Sequence, residues 1–244
     1  MGRMSRHSKW SKVKQFKGAI DAKRSASFTK LAREITVAVR EKGGDPNMNV
    51  RLRVAIDRSR KASMPKDAIE RAIARGAGTG TDAAAIVSPV YEAYAPGGTA
   101  LIIECLTDNS NRSANDVKLA LSQNGATLAT QGSVTYLFQR LGVVRIPGGL
   151  PADRREEVEL ELIDAGASDI VDLEDSAEIR CATNDLSKVA EAAQKLGLNV
   201  ESAEFEWLPQ NLVETDEEKG TKAAELIEEL EALDDVAHVY SNLA

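Results

Sequence analysis

Apolar positions in the first third of the chain recur with helical spacing. Phe28, Leu31, Ala32, Ile35 and Val39 fall at i, i+3, i+4, i+7 and i+11, the one-faced stripe of an amphipathic helix, and predict a helix over residues 19–42. Gly43-Gly44-Asp45-Pro46 stops that helix and turns the chain. Leu52, Ala55, Ile56 and Ser59 mark the inward stripe of a second helix over 47–62. Ile69, Ala72 and Ile73 do the same for a third, which begins near Met64-Pro65, where proline suits a first turn, and is capped by Gly76.

The pattern changes after Gly76. Residues 76–85 (GAGTGTDAAA) have the composition of a flexible linker. Strand-like runs at 90–94 and 99–106 flank the turn Ala95-Pro96-Gly97-Gly98 and read as a hairpin. A helix over 114–124 is opened by residues 108–113 and ended by Gly125. Residues 142–206 then spell strand, helix, two strands, helix, strand, the order of a ferredoxin-like unit. A helix over 216–233 and a strand over 236–240 complete the unit that this segment interrupts. The predicted class is α+β: an N-terminal three-helix domain (1–80) followed by two ferredoxin-like α/β domains, one (141–206) inserted into the other (81–140 plus 207–244).

Charge adds what periodicity cannot. The first 76 residues hold 20 Lys and Arg against 7 Asp and Glu, a net of +13, and the remaining 168 hold 11 against 31, a net of −20. The overall −7 therefore hides a strongly polarised molecule, and such asymmetry points to a polyanion, nucleic acid above all, as partner of the basic part. A solvated Lys-rich face is the plainer alternative. Hydrophobic content of 43% is that of a soluble globular chain, no apolar run approaches a membrane span, and the basic N-terminus lacks the apolar core of a signal peptide. The expected setting is the cytoplasm, with no membrane partner.

Cys105 and Cys181 lie in strand-like runs far apart, and His7 and His238 are the only histidines. No metal set is spelled, no cofactor is implied, and buried free thiols are expected. No carboxylate is placed to complete a triad with His7 and Ser8, and Glu156-Glu157 sit in a charge-dense helix, so catalysis is not expected. A protein-interaction scaffold remains a third class.

Charge placement selects the candidate phosphate-binding residues. His7, Lys9, Trp10, Lys12, Lys14 and Lys17 lie on an extended arm over residues 3–18, where Trp10 either stacks on a base or tucks into the helical core. Lys23, Arg24, Lys30 and Arg33 belong to the first helix, and Arg51, Arg53, Arg58 and Arg60 to the shoulders of the second. Asn111 and Arg112 either cap the helix they open or form a secondary anion site there. No row of base-reading side chains stands out. The acidic face of the last helix (Glu225, Glu228, Glu229, Glu231) is solvated or limits indiscriminate binding; the sequence leaves both open.

Ordered motifs now become informative. His7-Ser8-Lys9-Trp10, Asp21-Ala22-Lys23-Arg24, Phe28-Thr29-Lys30, Gly43-Gly44-Asp45-Pro46, Arg51-Leu52-Arg53 and Pro65-Lys66-Asp67 are followed by Tyr94-Ala95-Pro96-Gly97-Gly98 and Asp108-Asn109-Ser110-Asn111-Arg112. From His7 to about Tyr240 the chain resembles the YebC/PmpR family, which includes the mitochondrial translational activator of cytochrome oxidase subunit one. It departs only in the extra residues Met1 to Arg6 and in Ser110 and Ser113. The resemblance implies three domains, one interrupting another. It also implies a regulator of gene expression that binds promoter DNA or, alternatively, a factor that binds ribosomal RNA and assists the ribosome through difficult stretches such as consecutive prolines. The family has no agreed active site, so the candidate residues rest on charge placement.

Overall fold

A computed structural model describes residues 22–79 and 86–244, with side chains from Phe28 onward. The expected arm over 3–18 and the linker residues 80–85 lie outside the described residues. The fold is α+β. The described residues divide into two compact units, one of residues 22–30, 86–139 and 207–244, the other of residues 31–79 and 140–206.

Three helices open the chain: α1 (Ala22–Lys42), α2 (Val50–Lys61) and α3 (Lys66–Gly76). Most of the predicted stripe positions are buried, Ile35 and Leu52 completely, while Phe28, Ala32 and Ile73 are half-buried. Gly43, at φ +87°, ends α1 with its N–H on the Val39 carbonyl, as a glycine C-cap does. Asn49, fully buried, starts α2 by accepting from the Leu52 N–H, while its amide donates to the Ala38 and Gly43 carbonyls. One side chain thus satisfies groups at the end of one helix and the start of the next.

Gly76 is not the cap expected from sequence. It is the last residue of α3, and a Cβ there would lie 2.6 Å from the Val39 Cβ and 2.7 Å from the Thr36 carbonyl oxygen. Its smallness lets α3 lie close on α1, where Thr36 Oγ1 donates to the Ala72 carbonyl.

The rest of the chain begins with the hairpin of β1 (Val90–Tyr94) and β2 (Ala100–Cys105), then α4 (Ser110–Gln123) and the short β3 (Thr127–Leu128). Next come β4 (Phe138–Pro147), α5 (Arg155–Asp164), β5 (Ala167–Asp172), β6 (Ser176–Cys181), α6 (Leu186–Lys195) and β7 (Ser202–Pro209). Helix α7 (Glu217–Ala232) and strand β8 (Val236–Ser241) close the chain. Helix α4 starts four residues before its predicted position, because the Asn109 side chain caps it.

The first unit carries a four-stranded antiparallel sheet in the order β3-β1-β2-β8. Ala93, Leu101, Ile103 and Cys105 on one face pack with Val117, Ala120 and Leu121 of α4 and Leu226, Ile227 and Leu230 of α7. The other face is apolar too: Ala100, Ile102, Val134 and Phe138 cluster there, flanked by Trp207 and Tyr240. The turn between β1 and β2 lies close to the start of α7, since a Cβ on Gly97 (φ +84°) would come 2.7 Å from Thr215 Cγ2.

The second unit carries the sheet β5-β6-β4-β7, in which the two helix-linked strand pairs interleave as in a ferredoxin-like unit. Val144, Ile146, Ala177, Ile179 and Cys181 pack with Val158 and Leu162 of α5 and with Leu186, Val189, Ala190 and Ala193 of α6. Val50 and Val54 of α2 join this same cluster. Helix α2 is therefore buried on two faces, only one of which its Leu52 stripe announced.

Candidate nucleic-acid interface

The cations of the helical segment divide into two groups by what their guanidinium and ammonium groups touch. The first group turns into the second unit. Arg53 donates to Gln194 Oε1 at 2.6 Å. Arg58 pairs with Glu204 on β7 and with Glu34 at 3.4 Å. Burial works against its charge, yet Glu204 and Glu34 outweigh it and raise its pKa above the ordinary arginine value. Arg51 pairs with Glu41 at 2.5 Å and lies over the Phe205 ring.

The second group is exposed. Arg60 is 70% exposed, Lys66 90% and Arg71 71%, and their partners Asp57, Glu70 and Asp67 are near neighbours on the same helices. Arg40 and Lys61 are exposed as well. Such surface pairs hold by about 0–1 kcal/mol, so a phosphate competes with them on nearly equal terms. Lys66 and Arg71 were not among the sequence candidates: they share a helix with Asp67 and Glu70, so local charge gave no net signal, and only their position beyond the packed stripe sets them apart.

The remaining candidates fall as follows. His7, Lys9, Trp10, Lys12, Lys14 and Lys17 lie outside the described residues, as do the side chains of Lys23 and Arg24. Arg33 is half-buried on α1. Lys30 Nζ donates to the Glu231 carbonyl at 2.5 Å within the first unit.

Asn111 and Arg112 occupy the first turn of α4, and the Asn109 carboxamide accepts from both their backbone N–H groups at 3.1 Å. The Arg112 guanidinium forks onto the buried Asp235, Nε at 3.0 Å and Nη2 at 2.9 Å, and also reaches Asp108. These hydrogen bonds raise the Arg112 pKa. The two amides and the guanidinium that an anion would use are thus engaged by groups of the chain itself, an arrangement that serves capping.

Among the described residues no group of His, Cys, Asp and Glu is placed to hold a metal ion, and no helix is long and apolar enough to cross a membrane. Both cysteines are buried thiols not joined in a disulfide, and burial pushes the Cys181 thiol up to about 11.

Two four-stranded antiparallel sheets and a helical segment with exposed cations define an α+β protein. The chain belongs to the TACO1/YebC family: residues 8–79 match its N-terminal domain and residues 86–243 its second and third domains. It is 45% identical over 239 residues to a probable transcriptional regulatory protein of Thermobifida fusca, covering 98% of this chain and 95% of that one. A protein of the same description from Roseiflexus castenholzii is 46% identical over 242 residues, with 98% and 95% covered. The crystal structure of the conserved hypothetical protein Aq1575 from Aquifex aeolicus superposes with a TM-score of 0.84 at 38% identity, over 97% of each chain.

Proposed function

We propose that this protein is a regulator of gene expression that binds nucleic acid through its N-terminal basic segment, without catalysis, in the cytoplasm. The carrying observation is the division of charge: +13 on the first 76 residues against −20 on the rest. Exposed cations at Arg60, Lys66 and Arg71, held only by weak surface pairs, are consistent with that use. The relatives' description as probable transcriptional regulators supports DNA as the ligand. We also retain the three-domain division (1–80; 81–140 plus 207–244; 141–206) as a proposal about folding units.

A second reading, ribosomal RNA as the ligand and the ribosome as partner, draws on the packing of α2. A DNA reader needs a helix face free to enter the major groove. Val50, Leu52, Val54, Ala55, Ile56 and Ser59 of α2 are all buried, and Arg53 and Arg58 are engaged within the unit. What stays exposed suits phosphate and shape contacts, the mode of structured RNA.

The test replaces Arg60, Lys66 and Arg71 together by Gln and measures binding to promoter DNA and to ribosomal RNA across a salt series. Binding should weaken for all sequences, with the log–log salt slope shallower by about 0.9 for each lost contact to duplex DNA. An unchanged slope would remove these residues from the interface, and the tighter-bound wild-type ligand at one salt concentration decides between the two readings.

A further inference from the structure

Residues 119–139, 21 in all, contain no Asp, Glu, Lys or Arg, although 28% of the whole sequence is charged. The next longest run of this kind, residues 93–103, is 11 long and begins on β1, beside which β3 lies. Part of this uncharged stretch is surface. Tyr136 is 67% exposed, Leu128 36% and the neighbouring Tyr94 37%, and Thr130 and Gln131 are exposed in the loop between Leu128 and Tyr136. Strand β3 is an edge of its sheet, bonded to β1 on one side.

This surface is held in place by the fold. The loop after β3 closes over Glu92, whose buried carboxylate accepts from the N–H groups of Gly132, Val134 and Thr135. The Ala129 N–H donates to the Glu92 carbonyl at 2.7 Å, and the Tyr94 hydroxyl to the Ser133 carbonyl at 2.8 Å. A loop ordered in this way loses little conformational freedom when another surface meets it.

A phosphate backbone is gripped by cations, and this stretch supplies none. An exposed surface of Tyr, Thr, Gln and Leu without charge has instead the composition of protein contact surfaces. The rest of the chain indicates which protein. In a two-fold contact a patch meets its own copy, so a face of one sign repels itself. The first 76 residues at +13 and the remainder at −20 carry that penalty; the loop after β3 does not. Sheet edges are commonly guarded by charge or proline against pairing with another chain, and residues 119–139 contain neither.

We propose that two copies of this chain associate about a two-fold axis through the uncharged surface of Tyr94, Leu128, Thr130, Gln131 and Tyr136, with the Tyr136 ring as its aromatic anchor. The proposal is independent of the nucleic-acid reading. A single loop and one strand edge make a small contact, so the dimer is a weak one.

The test is sedimentation equilibrium of the full chain, freed of nucleic acid, from about 1 μM to 1 mM at low and at high salt. Wild type should show a monomer–dimer equilibrium that high salt leaves in place, because no charge pairs hold it. Two variants probe the surface. Tyr136→Ser removes the ring, and Gln131→Glu sets one negative charge against another across the axis. Both positions are exposed, so the fold tolerates either change. Each substitution enters a two-fold contact twice. Tyr136→Ser should weaken the dimer by roughly tenfold or more. Gln131→Glu should weaken it at low salt and recover at high salt, where the repulsion is screened. A loss in either variant supports the surface. A monomer at every concentration, a dimer unmoved by both variants, or a wild-type dimer that salt dissolves overturns it; the last is the signature of the basic part of one copy resting on the acidic part of another.

Discussion

The two sheets solve one problem in opposite ways. Each has two helices on one face and must do something with the other. In the first unit the second face is closed with apolar groups, Ala100, Ile102, Val134 and Phe138. Its buried carboxylate, Glu92, accepts from the backbone N–H groups of Gly132 and Val134 at 2.6 Å and of Thr135 at 3.0 Å. In the second unit the face is a charge ladder. Arg145 on β4 reaches Glu206 on β7 at 2.6 Å and Glu178 on β6 at 2.8 Å, and Arg180 adds a second contact to Glu178 at 2.9 Å. The alternation of strand side chains makes this possible: Arg145 sits between Val144 and Ile146, Glu178 between Ala177 and Ile179, and each neighbour belongs to the helix-side core. A carboxylate satisfied by fixed amides needs no countercharge, whereas one satisfied by arginine depends on it.

The sharpest break of that contrast compares Phe138→Ala with Arg145→Ala. Removing the phenyl ring should cost about 3–5 kcal/mol, as large aromatic truncations in cores do. Removing the guanidinium leaves Glu178 and Glu206 buried without their common partner, a loss of about 3–5 kcal/mol for a fully buried pair. Arg145 is about one third exposed, which lowers the expectation to about 2–4 kcal/mol. Replacing Arg145, Glu178 and Glu206 together by Met, Leu and Leu should recover most of that loss in urea unfolding, since no charge is then stranded. If the triple variant unfolds as early as Arg145→Ala, the ladder is not a self-contained substitute for apolar packing.

A finer test separates the two carboxylates by pH. At Glu178 burial raises the pKa, but Arg145 and Arg180 outweigh it and the net direction is below 4.5. At Glu206 burial prevails over Arg145 and the net direction is above 4.5. A lowered carboxyl contributes stability that is present above 4.5 and is lost as pH falls through its folded value; a raised one contributes below 4.5, and that contribution is lost as pH rises through its folded value. At neutral pH, therefore, Glu178→Gln should be the more destabilising of the two, by about 1–2 kcal/mol. On acidification wild type should lose ground to Glu178→Gln and gain on Glu206→Gln. Parallel pH profiles for the two variants would show that the ladder treats its carboxylates alike.

The order of elements was legible in the sequence: Ile35 and Leu52 announce their helices by spacing, and Val144, Ile179 and Leu226 lie in segments read as strand, strand and helix. The charge ladder was not. Arg145, Glu178 and Glu206 are separated by 33 and 28 positions in the chain, and polar residues alternating along a strand read as solvent-facing whether or not they meet partners across the sheet. The same limit explains α2. Arg51, Arg53 and Arg58 look like one basic shoulder, yet Gln194, Glu204 and Phe205, which decide what they do, lie some 140 to 155 residues away. Charge placement pointed to the segment on which these cations lie but could not tell an arginine that faces a carboxylate from one that faces water.

The smallest effect is expected where the helical segment is most exposed. Arg71 reaches Asp67 at 2.7 Å one turn earlier on α3, with both side chains about two-thirds exposed or more. An exposed pair at this spacing contributes about 0.3–0.5 kcal/mol, and the first-turn position of Asp67 retains its favourable interaction with the helix dipole when the arginine is removed. Arg71→Ala should therefore change stability by less than about 0.5 kcal/mol, a loss partly offset by the higher helix propensity of alanine. Since the pair is open to solvent, added salt should erase even that difference. Urea unfolding of wild type and variant at low and high salt measures both. A salt-insensitive loss above about 1 kcal/mol would mean that Arg71 is held by the fold, as Arg58 is, and would remove it from the cations available to a phosphate.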